Sequence, residues 1–242
     1  MVIFSVKIDD GKLRQRLLQS WILSLVLALG CFSLRAETHY RSHISVGAHG
    51  GMAISRMSFS PEIPQAWLMG PQFGLQIRYA EEKLVGVVAE LNFVTRGWKE
   101  NFEENKDLQY SRSLNYISLP IMTHISFGSP RVKCIINLGP EIGYMLSDKI
   151  TSNFDYANPP EGLLPSTRRV NQMSMKISNR FDYGITAGLG AEFYVSPRNS
   201  IYLEGRFYYG LGNIYPSTKA DEFSASRSMS ITVNAGYNFR LK

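Results

Sequence analysis

Apolar and polar residues alternate without interruption along the last stretch of the chain, Ser228 to Leu241. Every odd-numbered position in it is apolar, and the even-numbered positions carry Ser, Thr, Asn, Gly or Arg. Because the side chains of a β-strand alternate between two faces, this segment has one apolar and one polar wall. It also exceeds the roughly 9–11 residues that a tilted strand needs to cross a bilayer. We predict that it is the closing strand of a barrel.

The same two-residue period predicts seven earlier strands, at residues 43–54, 71–80, 84–98, 110–127, 132–146, 177–195 and 200–214. The connections between the eight strands alternate between long and short, and the short ones lie near residues 80–83, 128–131 and 196–199. Short periplasmic turns and longer outer loops are typical of bacterial outer-membrane barrels. The pattern therefore predicts an all-β fold, an eight-stranded antiparallel up-and-down transmembrane β-barrel. A barrel of this size is filled by its own side chains, which excludes a general porin.

The polar face of these strands distinguishes a membrane barrel from a soluble one. A lipocalin-like barrel would carry its apolar residues inside, and alternation alone does not say which face is inside. The polar face holds five acidic and five basic residues, whereas the opposite face is almost free of charge, as lipid requires. The ten residues are Arg78, Glu90, Arg96, Lys133, Glu141, Asp182, Glu192, Glu204, Arg206 and Arg240. We expect the polar face to line the lumen and the apolar face to contact lipid.

The first 36 residues have the features of a secretory signal peptide. A basic segment precedes an apolar run from Trp21 to Phe32, and the small residue Ala36 ends the segment. Cleavage there assigns residues 1–36 to the signal peptide and residues 37–242 to the outer-membrane barrel domain. Lipoprotein processing at Cys31 is the alternative, although the residues before Cys31 fit that signal poorly.

Charge and cysteine content narrow the function classes. The chain carries 26 Lys and Arg against 20 Asp and Glu. Removal of residues 1–36 leaves 21 against 18, a net charge of +3. Since no stripe of basic residues interleaved with aromatics stands on a predicted surface, we expect no nucleic-acid partner. Of the two cysteines only Cys134 stays in the mature chain, so no internal disulfide forms.

The carboxylates of the polar face suggest acid and base catalysis as one interpretation. Ionised pairs with arginines are the better account, because a lumen that excludes most water leaves any unpaired charge uncompensated. We therefore predict a structural lumen charge network without a catalytic role, made of Glu90, Arg96, Glu141, Asp182, Glu192, Glu204, Arg206 and Arg240.

The histidines suggest two further kinds of site. His124 and Ser126 share one strand face, a spacing that suits the base and the nucleophile of a lipid-modifying enzyme. A lumen histidine hydrogen-bonded to its neighbours is favoured, because the pair lies beside a predicted periplasmic turn, away from outer-leaflet lipid. His39, His43 and His49 lie before or in the first strand, but no Cys or carboxylate joins them at ligand spacing. We expect no catalytic residue, metal site or cofactor.

Two prolines, Pro120 and Pro140, fall inside predicted strands. A closed barrel has no edge on which a missing N–H is harmless, so each proline is expected to mark a bulge or a bend. The alternative is a weakened seam between neighbouring strands that accepts a partner.

Aromatic side chains in the strands predict girdles at the membrane interfaces rather than a ligand site. Trp and Tyr are amphipathic and favour the level of the lipid headgroups. The residues are Trp98, Tyr79, Tyr144, Tyr183, Tyr209 and Tyr237.

The end of the last strand resembles the signal by which outer-membrane barrels are handed to their insertion machinery. That signal combines a polar residue, a glycine and two apolar residues near the C-terminus. Asn234, Gly236, Phe239 and Leu241 match it. The resemblance implies the barrel-insertion machinery as a partner during assembly.

Several segments resemble the PorT family of outer-membrane barrels. The resemblance extends over nearly all of the mature chain, roughly residues 43–242. The segments that carry it are Glu82 to Gly86, Glu90 to Phe93, Arg96 to Trp98, Leu114 to Pro120, Asn137 to Tyr144, Phe181 to Gly184 and Gly188 to Glu192. The family has no catalytic residues to carry over.

The resemblance implies a role in type IX secretion, which carries proteases and adhesins with a C-terminal sorting domain across the outer membrane. A non-enzymatic barrel of this kind would be an accessory component, with outer-membrane lipid and other type IX secretion components as partners. One alternative is a small surface barrel of the OmpX or OmpA type, which serves adhesion or envelope integrity through its loops, above all residues 147–176. The other is the lipid-modifying enzyme resting on His124 and Ser126.

Overall fold

A computed structural model describes residues 42–80, 84–102, 105–159, 165, 168–218 and 222–241 of the protein. The predicted signal peptide and His39 lie outside the described residues. Within the described residues the chain forms nine strands and one short helix, and no helix there is long and apolar enough to cross a membrane. The elements are β1 (His43–Ser60), β2 (Gln65–Ala66), β3 (Leu68–Ala80), β4 (Val85–Glu100), β5 (Tyr110–Gly128), β6 (Val132–Ser152), α1 (Asn171–Ser174), β7 (Phe181–Tyr194), β8 (Asn199–Gly210) and β9 (Ala225–Arg240).

Eight of the strands close into a ring. Each pairs antiparallel with its neighbours in the order β1, β3, β4, β5, β6, β7, β8, β9, and β9 returns to β1. The closing ladder runs from Ser45↔Arg240 to Ser60↔Ala225. The predicted all-β, eight-stranded up-and-down barrel is therefore confirmed, with β9 as its closing strand. The remaining strand, β2, adds two residues beside β4 and is too short for a periodic pattern to reveal.

The apolar face of the ring points outward. Leu75 and Leu189, for example, expose 64% and 60% of their surface, and every strand of the ring presents exposed large apolar side chains. The polar face points inward, where Glu90, Arg206 and their neighbours are buried. The lipocalin-like alternative, with its apolar residues inside, is thus wrong for this chain.

The outward apolar face forms a band of membrane thickness. On β1 the band runs from Ile44 to Ile54, a length of about 33 Å at about 3.3 Å per residue. A strand tilt of about 40° reduces this length to the roughly 25 Å of an outer-membrane barrel. The strands continue beyond the band on the side of the long loops, to Ser60 on β1 and Ser152 on β6. The barrel therefore projects out of the band on that side.

Several strands begin or end at other residues than predicted. One reason is that the alternation of outward apolar and inward polar residues reverses beyond the band. β1 and β6 each continue six residues past the predicted ends. There the inward residues of β1, such as Met57 and Phe59, are apolar, and its outward residues are polar. β7 begins four residues later and β8 ends four residues earlier than predicted, because Ile177 and Ile214 turn into the mouth of the barrel.

Trp98 does not belong to the predicted aromatic girdle. Its side chain is fully buried inside the barrel, where its ring centroid lies 5.4 Å from that of Phe59. Trp98 occupies an inward position of β4 beyond the apolar band, and the interior is apolar at that level. Outward positions are held by Tyr79, Tyr144, Tyr183, Tyr209 and Tyr237.

The two prolines interrupt strand pairing without a bulge. The β4–β5 ladder lacks the pairs of Leu119 and Pro120, and the β5–β6 ladder lacks those that involve Pro140 and the residue before it. Each ladder then resumes in the same register, so the expectation of a bulge at the prolines is wrong, and that of a bend stays a prediction. The register shift between β5 and β6 lies instead at Asn115 and Tyr116. A proline lacks only its own N–H, and here the ladder skips that bond without inserting a residue.

We expect the amides of Glu90 and Ile121, which face the two prolines, to exchange with solvent severalfold faster than those of Val88 and Thr123. Glu90 and Ile121 each lie opposite a proline, which has no N–H to donate to the ladder. The missing hydrogen bond lowers the free energy of local opening by about 1 kcal/mol. Val88 and Thr123 lie two residues away in the same ladders and serve as controls. Residue-resolved hydrogen exchange of the folded barrel in detergent micelles measures the difference. Equal protection of the two sets would count against a weakened seam.

Candidate functional site

The centre of the lumen is an ion-paired cluster around Arg206 of β8. Its guanidinium donates two hydrogen bonds to Glu90, at 2.6 and 2.9 Å, and a third to Glu204 at 2.8 Å. Asn137 donates to the Oε1 of Glu204 at 2.8 Å, and Asn92 donates to the Oε2 of Glu90 at 2.9 Å. Side chains of β4, β6 and β8 thus meet across the lumen, because each stands at an inward position of its strand.

A second cluster lies nearer the short turns, around Glu192 of β7. Arg78 of β3 donates to both carboxylate oxygens of Glu192, at 3.0 and 2.9 Å. Ser200 and Asn238 donate to the Oε1 of the same carboxylate, at 2.6 and 3.2 Å, and Gln76 donates in turn to Asn238. Donors from three strands therefore satisfy this buried carboxylate.

A third cluster lies nearer the long loops, around Arg96 of β4. Its guanidinium lies 2.5 Å from a carboxylate oxygen of Glu141 and 3.9 Å from one of Asp182. The ring of Tyr208 packs against it, with 3.8 Å between the Cζ and the ring centroid. Two carboxylates thus share one arginine, and the aromatic face adds a cation–π contact to it.

Seven of the eight predicted network residues lie in these three clusters. The clusters follow one another along the barrel axis. Arg78 completes the Glu192 cluster, although from the sequence it was predicted only to lie on the polar face and not to join the network. The eighth predicted residue, Arg240, is half-buried at the short-turn end, with its Cζ 5.9 Å from the ring centroid of Tyr194. Buried ions in a membrane protein are costly unless paired, so removal of one partner leaves an uncompensated charge.

The four residues of the predicted insertion signal lie at the end of β9 and just beyond it. Asn234 is buried in the lumen, whereas Phe239 and Leu241 are exposed on the outward face. A Cβ at position 236 would lie 2.4 Å from the ring of Tyr202, so any larger residue there would displace this buried ring. Packing against Tyr202 thus favours glycine at position 236, and recognition of the four residues by insertion machinery stays a prediction.

His124 and Ser126 are both buried in the lumen near the short turns. The Nδ1 of His124 forms a hydrogen bond of 2.7 Å with the Oδ1 of Asn137, which links it to the Arg206 cluster. His124 is therefore a hydrogen-bonded lumen histidine, as the sequence favoured. In the part of the chain that the structure describes, no three His, Cys, Asp or Glu side chains lie close enough together to hold a metal ion.

An apolar plug closes the lumen at the long-loop end. Phe59 lies at its centre, with its ring centroid 5.1 Å from that of Phe223 and 6.2 Å from that of Tyr215. The plug was not predicted from the sequence, although the apolar residues at inward positions of β1 indicated it. The plug consists of Ala53, Met57, Phe59, Ile63, Val94, Trp98, Phe102, Tyr110, Leu114, Tyr116, Met145, Met173, Ile177, Ile214, Tyr215 and Phe223.

Helix α1 covers the plug and is held there through its main chain. Tyr110 donates to the carbonyl oxygen of Met173 at 2.7 Å, and Tyr215 donates to that of Gln172 at 2.9 Å. Arg112 donates to the hydroxyl oxygen of Tyr215 at 3.0 Å. Burial raises the pKa of Tyr215 to about 12, against the opposing effect of Arg112. The Tyr215 hydroxyl therefore keeps its proton and its donor role at neutral pH.

A buried carboxylate, Glu100, ties the same loop to the barrel wall. Arg168 donates to it at 2.9 Å, Gln172 at 3.1 Å and the indole of Trp98 at 3.3 Å. Glu100 is the last residue of β4 and lies beyond the apolar band. Burial raises the pKa of its carboxyl above the usual value, although the hydrogen bonds from Arg168 and Gln172 lower it. The last part of the predicted long loop thus packs into the mouth of the barrel.

Comparison with known proteins gives a family for the chain. A family model described as outer membrane protein beta-barrel domain matches residues 34–215. No curated protein sequence matches the chain.

Three solved structures illustrate the similarity. Ail, the attachment invasion locus protein of Yersinia pestis, is 16% identical over 81% of this chain and 99% of its own, with a TM-score of 0.40. The outer membrane protein OprG of Pseudomonas aeruginosa is 8% identical over 84% and 97%, with a TM-score of 0.49. The Outer Membrane Protein W of E. coli is 14% identical over 84% and 100%, with a TM-score of 0.43.

We expect Arg206→Ala to lower the free energy of unfolding by about 3–5 kcal/mol, because Glu90 and Glu204 then remain as uncompensated buried charges. Glu204→Ala is expected to destabilise the barrel less, since Glu90 still pairs with Arg206. Arg131→Ala, at an exposed position in a short turn, is the control. The temperature at which the folded barrel loses its fast mobility on a gel measures the effect. Unchanged melting of both lumen variants would refute the proposed role of the network.

Proposed function

This chain belongs to the outer membrane protein beta-barrel domain family, and we propose that it acts as a non-enzymatic accessory barrel for type IX protein secretion. Its residence in the outer membrane follows from the family and from the outward apolar band. The observation that carries the proposal is the filled lumen. Three ion-paired clusters occupy it, and the plug closes its mouth. A barrel filled in this way offers secreted protein no conduit, so its contribution to export must come from its surfaces.

The resemblance to the PorT family supports the secretion role. The segments that carry the resemblance fall on β4, β5, β6 and β7 and on the turn before β4, and these four strands are consecutive in the ring. They therefore form one wall of the barrel, and the seams interrupted by Pro120 and Pro140 lie within it. In this proposal the wall and its short turns contact other components of the secretion system.

Deletion of the gene tests the secretion role. We expect cargo with a C-terminal sorting domain to accumulate in the periplasm as unprocessed precursor, and protease activity to disappear from the cell surface and the medium. Cell fractionation with immunoblotting of one cargo protein measures this result. Complementation with the wild-type gene is the control. Normal surface cargo in the deletion strain would contradict the proposal.

The projection of the barrel beyond its apolar band favours a second candidate function, that of a surface barrel for adhesion or envelope integrity. β1 and β6 extend past the band to Ser60 and Ser152, and the loop that follows β6 begins with residues that include the exposed Asn153 and Asp155. This candidate assigns the function to the outer loops rather than to the wall. The lipid-modifying alternative has weaker support, because His124 and Ser126 are buried near the short turns.

Removal of residues 157–167 separates the two candidates. The deletion spares Tyr156, which packs on Tyr110, and Arg168, which binds Glu100, so these two contacts between the loop and the barrel are kept. If the barrel serves secretion, we expect cargo export to continue at the wild-type level. Loss of adhesion or serum survival with normal export would favour the surface barrel instead. Heat-dependent gel mobility of the variant verifies that the barrel has folded.

A further inference from the structure

Two arginines, Arg56 on β1 and Arg227 on β9, stand on the outward face just beyond the apolar band. Ile54 is the last outward apolar residue of the band on β1, and it pairs with Ile231 of β9 and with Met69 of β3. Arg56 follows Ile54 as the next outward residue of β1. The pair therefore lies at the level where the hydrocarbon of the membrane ends, on the side of the long loops, which faces the outer leaflet.

The pairing register brings the two arginines together. Arg56 pairs with Met229, and Ser58 pairs with Arg227, so the two arginines are diagonal neighbours on one face. Such positions lie about 7–8 Å apart, within reach of two long side chains that share one ligand.

The surroundings of the pair fit a membrane interface. The Cζ of Arg56 lies 5.3 Å from the ring centroid of Trp67, which is 46% exposed on the same face. An exposed tryptophan at this level is typical of the aromatic girdle of a barrel. Arginine lays its aliphatic stem along apolar surface and extends its charged end toward the headgroups.

Neither arginine has all of its hydrogen-bond donors or its charge paired by the described residues. The Nε of Arg56 and the Nε of Arg227 are both buried without a hydrogen-bond partner, and no described residue forms an ion pair with either side chain. The arginines of the lumen contrast with them, since each is paired with a carboxylate. Basic residues also take the outward positions beyond the band on β4 and β6, namely Lys99 and Lys149.

We propose that Arg56 and Arg227 bind a phosphate group of an outer-leaflet glycolipid, with Trp67 packed beside its headgroup. A planar guanidinium presents paired donors that match the oxygens of a phosphate, and two guanidiniums hold one phosphate from two sides. The position of the pair at the edge of the apolar band selects a lipid phosphate as the occupant, because the acyl chains of that lipid cover the band directly below. This site goes beyond the secretion role and depends only on residence in the outer membrane.

Native mass spectrometry of the folded mature chain in detergent tests the site, with diphosphorylated lipid A and its dephosphorylated form as probes. We expect the wild-type protein to prefer the phosphorylated form on the order of tenfold. The double variant Arg56→Gln with Arg227→Gln should lose this preference. Its matched control is Arg131→Gln with Arg198→Gln, which removes the same charge from exposed positions in the short turns and should keep the preference.

Heat-dependent gel mobility of both double variants establishes that they fold. A wild-type protein without preference for the phosphorylated lipid would overturn the proposal, and so would a preference that survives in the Arg56/Arg227 variant. An Arg56/Arg227 variant with unchanged lipid preference but impaired cargo export would assign the pair to an acidic protein partner instead, which also overturns the lipid site.

Discussion

Every polar group that this barrel carries into the membrane must be satisfied inside the ring, and the rest of the structure depends on that constraint. Hydrocarbon offers no hydrogen-bond partner, so the backbone closes on itself through the β1–β9 ladder and the charges turn inward. Arg206 shows the result most clearly, since it binds Glu90 and Glu204 at once and reaches across the lumen to do so. Once the charges are paired in this way, little room or polarity remains for passage through the barrel.

The interior of the barrel changes from ion-paired to apolar along the barrel axis. This change divides the molecule into a part within the apolar band and a part that projects beyond it. Within the apolar band the lumen is a stack of ion pairs, from Arg78 near the short turns to Arg96 near the long loops. Beyond the band the outside becomes polar, and the inside becomes an apolar plug centred on Phe59. The projecting part thus has an apolar core like that of a soluble domain, and helix α1 covers this core on the side of the long loops. Ion pairs fill the lumen within the band and the plug closes it beyond the band, and for this reason we propose that the outer surface carries the function.

The outer surface is not uniform around the ring. One wall, β4 to β7, carries the PorT-like segments and the two proline interruptions. The opposite wall, around β1 and β9, carries the arginine pair at the edge of the band. A weakened ladder suits contact with another protein within the membrane, whereas guanidinium groups at the headgroup level suit a lipid phosphate. In the proposals made here, the first wall contacts protein and the second contacts lipid.

The sequence by itself determined the eight ring strands, the up-and-down order and the composition of the two faces, because a two-residue period is a local property of a strand. It also identified most members of the lumen network, since each stands at an inward position. The charges of the polar face also predicted that this face lines the lumen, which the structure confirms. Only the tertiary structure decided which partners meet there, because Arg78 and Glu192 are 114 residues apart along the chain. It also decided that Trp98 belongs to the plug rather than to a girdle and that the loop after β6 folds back over the mouth. Those outcomes depend on contacts between distant segments, and no local alternation of residues records such contacts.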